Sequence, residues 1–542
     1  MHSRHWPIGL VWMFSIAQGF LYIISTPQWE GFDEAFHYSY IQNLAETGRL
    51  PIYGRTLLSK EVTTSFRLAP LSSPVNSNLG NRYTSLGDYW QLPESVRKER
   101  ETSLKNIPGD FRSISDVSSD ACPNYEAQHP PLYYLLCVPI YRLFSSSDLP
   151  TMVFVLRIFS LLIGSLTIWM AFSLTKSIVI PVVISLLPMF ISTVARISND
   201  SLGVTLYSLL VLLTLKYVLV ASNYRHAFYI GITAGLGMLT KAYFLTAIPV
   251  LAIAVLAIGF QKKNAGLSAR HLVVLFSTMI AIACWWYLRN YRLYGTISGL
   301  FIIDSSPSPM DYFRYWAVMP WRSGINTIFR EFIWTGNSSF TSLSKTVYYT
   351  ADLLAAFSLI GLIKIYLKAH VPIKPAEKET LNVMMLFFFF FIVGLLYQML
   401  ESFLSMKQIV TGGWYVYAII IPIIFLFCLG IGTLWRGMQR FAPLILIGFS
   451  ALLNFLGYFC KSIPFYSGHY IPRFHLQTFF ELYNSAGLLA IGRRLSVNKP
   501  EFVTPVVIIA GIIAYAALFL SFVVLSLKIQ WRCREARIAG IQ

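Results

Sequence analysis

The sequence predicts an all-α polytopic membrane protein. Of its 542 residues, 55% are hydrophobic and only 13% are charged, and the mean hydropathy is +0.57. Soluble domains carry about 25% charged residues, so this composition excludes a soluble fold. Apolar runs of about 20 residues, the length that crosses a bilayer as a helix, recur along the chain. Together these observations predict a bundle of about 12–13 transmembrane helices.

The membrane spans are predicted from the apolar runs, with two segments left open. Twelve runs are interpreted as spans: 7–26, 151–172, 177–195, 202–221, 226–241, 243–260, 271–288, 347–367, 381–400, 411–434, 441–460 and 503–528. The first run could be a signal peptide, but Gln18 and the lack of a small-residue cleavage pattern favour a retained span. Segment 129–145 is either a short span or a helix lying in the interface. A further crossing near 480–492 stays open.

The positions of the basic residues predict which side each loop faces. Lys and Arg concentrate in short cytoplasmic loops of membrane proteins. If 129–145 does not cross, the basic loops, such as the one with Lys262 and Lys263, fall on one side, and if it crosses the rule is violated. We therefore expect both termini in the cytoplasm. The net charge of +18 then reflects topology, and we expect no nucleic-acid partner.

This topology divides the chain into alternating membrane and extracytoplasmic regions. A large first extracytoplasmic loop is its main polar insertion. The predicted regions are a first transmembrane helix (1–26), an extracytoplasmic loop subdomain with interfacial helices (27–150), a transmembrane core (151–288), an extracytoplasmic loop (289–346), transmembrane helices (347–460), an extracytoplasmic loop (461–502), and the last transmembrane helix with a basic cytoplasmic tail (503–542). The six Cys show no CxxC spacing, so neither a zinc site nor a disulfide framework is expected, although Cys122 and Cys460 could meet outside the membrane.

An acidic pair, Asp33 and Glu34, follows the first apolar run. Carboxylates are costly at the end of a membrane span, and a catalytic site at the membrane surface is one good reason for them. The pair opens a predicted helix over 33–46, so capping of that helix is the alternative explanation. His37 lies one turn after Asp33 on the same face, which suits a carboxylate–imidazole pair or two metal ligands.

A second polar cluster closes the first large loop, in the segment EAQHPPLYY at 126–134. Two prolines fix the start of the next helix and hold His129 extended before it. Glu126, His129 and Tyr133 are therefore expected near the membrane edge. A binding site and simple interfacial anchoring by the aromatic residues explain this segment about equally well.

Basic residues on the predicted outer side form the third candidate group. Arg196 is followed by Asp200, and Lys241 lies within apolar sequence, where a cation is costly without an anionic partner. A bound phosphate would explain both cations, while snorkelling is the alternative for Lys241. Arg289 and Arg292 follow the seventh span, and arginine suits bidentate phosphate contacts.

The third outer loop adds weaker candidates, Arg473 and His475. Elsewhere the chain has no GxxxxGK[ST] loop, GxSxG elbow or HExxH helix. These absences argue against an ATP-driven pump, a serine hydrolase and a zinc protease.

The motifs together resemble those of the GT-C glycosyltransferases. The shared features are the acidic pair after the first span, the large first outer loop, and the His-Pro-Pro-Leu-Tyr-Tyr segment at 129–134. The resemblance includes protein O-mannosyltransferases and the aminoarabinose transferase of lipid A. Leu-Thr-Lys at 239–241 and the segment 286–295 also resemble an uncharacterised bacterial membrane-protein family of that superfamily. In architecture the resemblance covers most of residues 7–430, although related enzymes often carry Lys where this chain has His129.

The resemblance implies sugar transfer from a polyprenyl-phosphate donor to an acceptor hydroxyl, with inversion. The expected place is the periplasmic face of the bacterial cytoplasmic membrane, and the acceptor would be a cell-envelope glycan, a glycolipid or a protein. Asp33 would be the base, with Glu34 and His37 as supporting groups. The remaining candidates would bind the lipid phosphate or shape the sugar site: Glu126, His129, Tyr133, Arg196, Asp200, Lys241, Arg289, Arg292, Arg473 and His475. A divalent cation, Mg²⁺ or Mn²⁺, is compatible with this chemistry but not required.

A lipid-linked sugar flippase or transporter is the alternative function. Transporters place charges near the bilayer midplane on broken helices, often in repeated halves. In this sequence the candidate charges gather at one predicted face, and no internal repeat is evident. The pattern therefore favours the transferase.

Overall fold

A computed structural model describes residues 6–112, 122–297, 308–367, 375–435, 437–470 and 475–538. Within these ranges the regular structure is helical, and two isolated bridges, Leu57 to Pro123 and Leu71 to Ser85, are the only β pairings. The prediction of an all-α membrane protein is confirmed.

The described chain forms 24 α-helices. They are α1 (Trp6–Ser25), α2 (Glu34–Thr47), α3 (Lys60–Leu68), α4 (Ser73–Asn78), α5 (Leu86–Gln91), α6 (Glu94–Lys105), α7 (Leu132–Leu143), α8 (Leu149–Thr175), α9 (Val179–Leu186), α10 (Pro188–Val194), α11 (Asp200–Leu219), α12 (Tyr224–Met238), α13 (Ala247–Gln261), α14 (Ala265–Tyr294), α15 (Pro309–Val318), α16 (Trp321–Ile333), α17 (Lys345–Tyr366), α18 (Pro375–Met406), α19 (Ile420–Gly432), α20 (Ala442–Phe455), α21 (Ile463–Tyr466), α22 (Leu476–Leu482), α23 (Ser485–Leu495) and α24 (Pro505–Ile538).

Ten helical stretches of the described chain are long and apolar enough to cross a membrane. They are Pro7–Ser25, Leu149–Thr175, Asp200–Leu219, Ala242–Gln261, Ala265–Tyr294, Lys345–Tyr366, Pro375–Met406, Gly413–Gly432, Ala442–Tyr466 and Pro505–Gln530. Each coincides with one of the twelve predicted runs. The chain is therefore a multi-pass membrane protein.

Two predicted runs do not form such helices. The run 177–195 divides into α9 and α10 because Pro188 cannot continue a helix and Leu187 before it is extended, with φ −75° and ψ 110°. The run 226–241 gives only α12, whose 15 residues rise about 22 Å, less than the hydrocarbon thickness. Both α9 and α10 are buried by other helices, so protein rather than lipid surrounds them.

The two segments left open by the sequence form short helices. Segment 129–145 contains α7, whose 12 residues rise about 18 Å, too short to cross a bilayer. Segment 480–492 contains the end of α22 and most of α23, which are separated at Tyr483 and Asn484.

The chain between α1 and α8 builds its own small core beside the membrane helices. Helix α2 packs on α7, and Tyr38, Tyr134 and Tyr141 are fully buried between the elements of this insertion. The membrane core forms around α1, α8 and α11, with α12 packed on α14 and α17 on α19. Because α2 begins close to the end of α1, its first residues lie where the insertion meets the membrane helices.

Candidate functional site

A cavity of about 1410 Å³ lies where the insertion meets the membrane helices. Its polar lining includes Asp33, Glu126, His129 and Lys241, all from segments between long membrane helices. Its apolar lining comes partly from the insertion, such as Phe36 and Phe66, and partly from membrane helices, such as Phe390, Phe391 and Leu395 of α18. The cavity is therefore amphipathic.

Asp33 stands at the N-terminus of α2 but does not cap it with its side chain. Its backbone is left-handed, with φ 58°, and its carboxylate makes no capping hydrogen bond. Instead, the hydroxyl of Tyr125 donates to Asp33 Oδ1, and the side chain lines the cavity. A positive φ is uncommon outside glycine and often marks functional sites. Helix capping therefore does not explain this side chain.

The surroundings of Asp33 make it a stronger base than an ordinary aspartate. Burial in the cavity wall, reinforced by the negative charge of Glu126, raises the pKa of Asp33 to about 6. At neutral pH this carboxylate is mostly ionised but still binds a proton readily, as a general base requires.

Glu34, the neighbouring acid, is fully engaged. Arg157 binds its carboxylate with two nitrogens, at 2.7 Å and 2.6 Å, and the backbone N–H of Ile197 donates at 3.2 Å. Burial alone would raise the pKa of Glu34, but the charge and hydrogen bonds of Arg157 outweigh it and lower the pKa below its ordinary value. Glu34 is therefore a fixed anion that joins α2 to α8.

A second acid, Glu126, is placed between two imidazoles. Its Oε2 lies 2.9 Å from His129 Nε2 and 3.4 Å from His37 Nδ1, and the same His37 nitrogen is 2.9 Å from the Tyr134 hydroxyl. Burial lowers the pKa of His37 to about 4, so this imidazole is neutral at physiological pH. The backbone of His129 is extended before the two prolines, as predicted, with φ −76° and ψ 147°. Glu126 and His129 belong to the cavity wall, whereas His37 is buried outside it and pairs with Glu126 rather than with Asp33 as predicted.

The protein supplies the anionic partner of Arg196 and Lys241. Asp200 accepts from Arg196 at 2.9 Å through one oxygen and from Lys241 through the other, and all three side chains are buried. The bound phosphate that the sequence suggested is not needed to explain these two cations. Of the three, only Lys241 lines the cavity, and it is the one Lys or Arg among the described lining residues.

Four other predicted site residues, Tyr133, Arg289, Arg292 and His475, do not line the cavity. Tyr133 is buried, with its hydroxyl 2.7 Å from Ser160 Oγ. Arg289 donates to the Pro51 carbonyl at 2.7 Å. Arg292 and His475 are exposed. A fifth candidate, Arg473, lies outside the described residues.

Several residues that complete the site were not singled out from the sequence. Arg157 could have been predicted to have a buried partner, since a charge inside the apolar run 151–172 requires one. Tyr125 and Trp414, which line the cavity, could not have been predicted as site residues, because aromatic residues make up 15% of the whole chain. Glu30, on the approach to the acidic pair, accepts from the Ser72 N–H at 2.6 Å, and burial raises its pKa to about 7.

No group of three or more His, Cys, Asp or Glu side chains in the described ranges is arranged to hold a metal ion. The use of Mg²⁺ or Mn²⁺ stays a prediction.

The fold defines the class: an all-helical multi-pass membrane protein with a large amphipathic cavity at the base of an inserted segment. Comparisons with models of known families, with curated proteins and with solved structures find no match to this chain.

Proposed function

We propose that the protein is a membrane glycosyltransferase that moves a sugar from a polyprenyl-phosphate donor to an acceptor hydroxyl. The observation that carries this proposal is the contrast within the acidic pair. Both acids line the cavity, but Arg157 binds the Glu34 carboxylate and lowers its pKa, whereas the pKa of Asp33 is raised to about 6. One acid is a structural anchor, and the other is available to take a proton.

The cavity suits an amphipathic donor. Its volume of 1410 Å³ exceeds the roughly 300–1,000 Å³ of ordinary small-molecule pockets. The apolar stretch of α18 matches a prenyl chain, and the polar wall with Asp33, Glu126 and His129 matches a sugar. Lys241 adds one cation for the phosphate.

The reaction is a single displacement at the anomeric carbon. Asp33 takes the proton of the acceptor hydroxyl while its oxygen forms a bond to that carbon. The bond between the anomeric carbon and the phosphate oxygen breaks, and the electron pair leaves with the polyprenyl phosphate. Because the phosphate gains a negative charge, Lys241 stabilises the transition state more than the ground state. The product has the inverted configuration, and the proton remains on Asp33.

Glu126, His129 and Arg196 support this chemistry without taking the proton. The ionised Glu126 and the neighbouring His129, which both line the cavity, offer hydrogen bonds to sugar hydroxyls. Arg196 lies 5.2 Å from the Phe32 ring and 5.7 Å from the Trp414 ring, so it holds two aromatic cavity residues in place. We place the site on the periplasmic face of the bacterial cytoplasmic membrane, with both termini cytoplasmic and a glycan, glycolipid or protein as the acceptor.

Transfer and transport give different products, which makes the proposal testable. The purified protein would be reconstituted in liposomes with radiolabelled undecaprenyl-phosphate sugars and an envelope extract as the acceptor pool. We expect free undecaprenyl phosphate to be released as label enters the extract. Movement of the intact donor across the bilayer, with no cleavage, would instead support the flippase. Mass spectrometry of envelope glycans with and without the gene would identify the sugar and the acceptor.

A further inference from the structure

Phe340 is an exposed aromatic residue in the cavity wall. Half of its surface, 50%, is accessible although the four residues before it are buried. Its ring meets that of Phe32 edge to face at 5.3 Å between centroids, and Phe32 in turn stacks on Trp414 at 4.1 Å. One face of the aromatic group is thus supported by protein while the rest is open to the cavity.

The backbone at Phe340 is strained. Its φ is 45°, a left-handed conformation that is a true outlier for a bulky side chain. Gly336 and Asn337 in the same loop also have positive φ, at 66° and 53°. Only Gly336 adopts this conformation without a steric cost. Such strain persists only where the surroundings impose it, and it is concentrated at ligand-binding and catalytic sites.

The surroundings that impose this conformation come from distant parts of the chain. Arg196 donates to Asn337 Oδ1 at 3.1 Å. The Ser72 hydroxyl donates to the Ser338 carbonyl at 3.1 Å, and the Ser338 N–H contacts the Glu30 carbonyl at 3.4 Å. The loop is therefore held by α10–α11, by the start of α4 and by the approach to α2. These contacts fix Phe340 in the cavity rather than in the protein interior.

The polar groups near this loop indicate what the ring contacts. Ser338 lines the cavity, and α4, which follows Ser72, contributes Asn78 to the same lining. Phe32, the ring that Phe340 touches, directly precedes Asp33. An aromatic face bordered by hydroxyl, amide and carboxylate groups matches a sugar ring, which has an apolar C–H face and a rim of hydroxyls.

We propose that Phe340 is a stacking platform for the sugar ring of a carbohydrate substrate, held next to Asp33. This inference rests on the proposed function for the reaction, but the binding that it describes is measured separately. The ring belongs either to the acceptor or to the donor, and both have the same chemistry.

Binding would be measured by saturation-transfer NMR on the full chain in nanodiscs, with a panel of methyl glycosides as probes. We expect at least one glycoside to bind, Phe340→Ala to weaken it roughly tenfold, and Phe340→Trp to retain it. Phe313→Ala is the matched control, because Phe313 is 65% exposed on α15 and does not line the cavity. Failure of every glycoside to bind the wild-type protein, or equal binding by both alanine variants, would contradict the platform.

Two further readouts separate this role from a structural one. Phe340→Gly should melt at a higher temperature than Phe340→Ala, since both lack the ring and only glycine relieves the left-handed strain. Equal melting temperatures of Phe340→Gly and Phe340→Ala would show that the backbone at Phe340 is not strained.

In the transfer assay, Phe340→Ala should raise KM about tenfold for the substrate whose sugar stacks, the acceptor or the donor, with kcat little changed. A KM unchanged for both the acceptor and the donor would contradict the stacking role of Phe340 even if transfer occurs. Glycoside binding without any transfer would support the stacking role and contradict the proposed transferase activity.

Discussion

Two adjacent carboxylates have opposite surroundings because the chain turns between them. Asp33 has a left-handed backbone, while Glu34 begins the regular turns of α2 and binds Arg157 of α8, although both residues line the cavity. Arg157 binds Glu34, whereas the Asp33 carboxylate accepts a hydrogen bond from the Tyr125 hydroxyl and lies near the negative charge of Glu126 and the positive charge of Arg196. These neighbours make Glu34 a structural acid and leave Asp33 as the acid that we propose takes the proton.

The pH dependence of transfer should follow the ionisation of Asp33. Its ionised fraction rises with pH, so transfer should increase through about pH 6 and level off above it. Glu126→Gln removes a negative charge that raises the pKa of Asp33, and the midpoint should therefore move to lower pH. Burial is the larger cause, so the midpoint should stay above that of an exposed aspartate. A pH–rate profile of both proteins checks this, and an unmoved midpoint would show that Glu126 does not act on Asp33.

Breaking the buried ion pair should destabilise the protein strongly. Arg157→Ala leaves the Glu34 carboxylate buried without its partner, and such losses cost about 3–5 kcal/mol. Thermal unfolding in detergent would measure the change. The control is Lys98→Ala, which breaks a pair whose side chains are about 70% exposed and should leave the melting temperature unchanged. Equal melting of the two variants would be inconsistent with an anchoring role.

The single residues of the site were partly predictable. Asp33, His129 and Lys241 stand out in sequence because polar groups beside apolar runs are costly, and the cavity contains all three. Their partners were not predictable, since the contact of Arg157 with Glu34 joins residues 123 positions apart. Arg289 also borders an apolar run, as Lys241 does, but its guanidinium donates to the Pro51 backbone carbonyl and does not line the cavity.

At the scale of elements, local signals predicted helix ends better than helix lengths. Helix α2 begins and ends within a residue of the predicted bounds, and Gly48 caps it with φ 66°. The break between α9 and α10 follows from Pro188, but an apolar run hides it when runs are judged by length. Whether a short apolar helix faces lipid or protein depends on packing from other helices, which the sequence does not contain.

Close helix crossings in the membrane core depend on small residues. A Cβ at Gly361 of α17 would lie 1.8 Å from the Gly430 carbonyl oxygen of α19. Gly361→Ala should therefore force the helices apart and cost about 1–3 kcal/mol of stability. Gly448→Ala in α20 is the control, because no atom lies within 4 Å of its added Cβ. Thermal unfolding of both variants tests the crossing, and a Gly361→Ala protein as stable as the control would contradict it.

For the whole molecule, composition alone predicted the class and could not predict the cavity. Long apolar runs identify a multi-pass protein because the bilayer requires them. The cavity forms between the segment 241–246, helix α18 and the insertion, and its lining residues lie up to about 390 positions apart in sequence, from Trp29 to Tyr415. No local sequence pattern predicts a cavity between such distant segments. The sequence therefore predicted polar lining residues but not the cavity itself.

The orientation of the whole molecule is tested by labelling. In a variant without native cysteines, Lys263→Cys, between α13 and α14, should react with an impermeant maleimide only after the cytoplasmic face is opened. Lys98→Cys, on α6 in the insertion, should react in intact cells. Labelling of residue 263 from outside would invert the topology and move the site to the cytoplasmic face.

The central claim is that Asp33 is the base of a sugar-transfer reaction, and single-turnover transfer in liposomes tests it most directly. Wild-type protein and Asp33→Asn would be loaded with the same radiolabelled undecaprenyl-phosphate sugar. Donor binding would be measured first to show that the variant is folded. We expect Asp33→Asn to bind donor as the wild type does and to transfer at least about 100-fold more slowly, since a general base contributes roughly 10²–10⁴-fold. Transfer by Asp33→Asn at the wild-type rate would contradict the account.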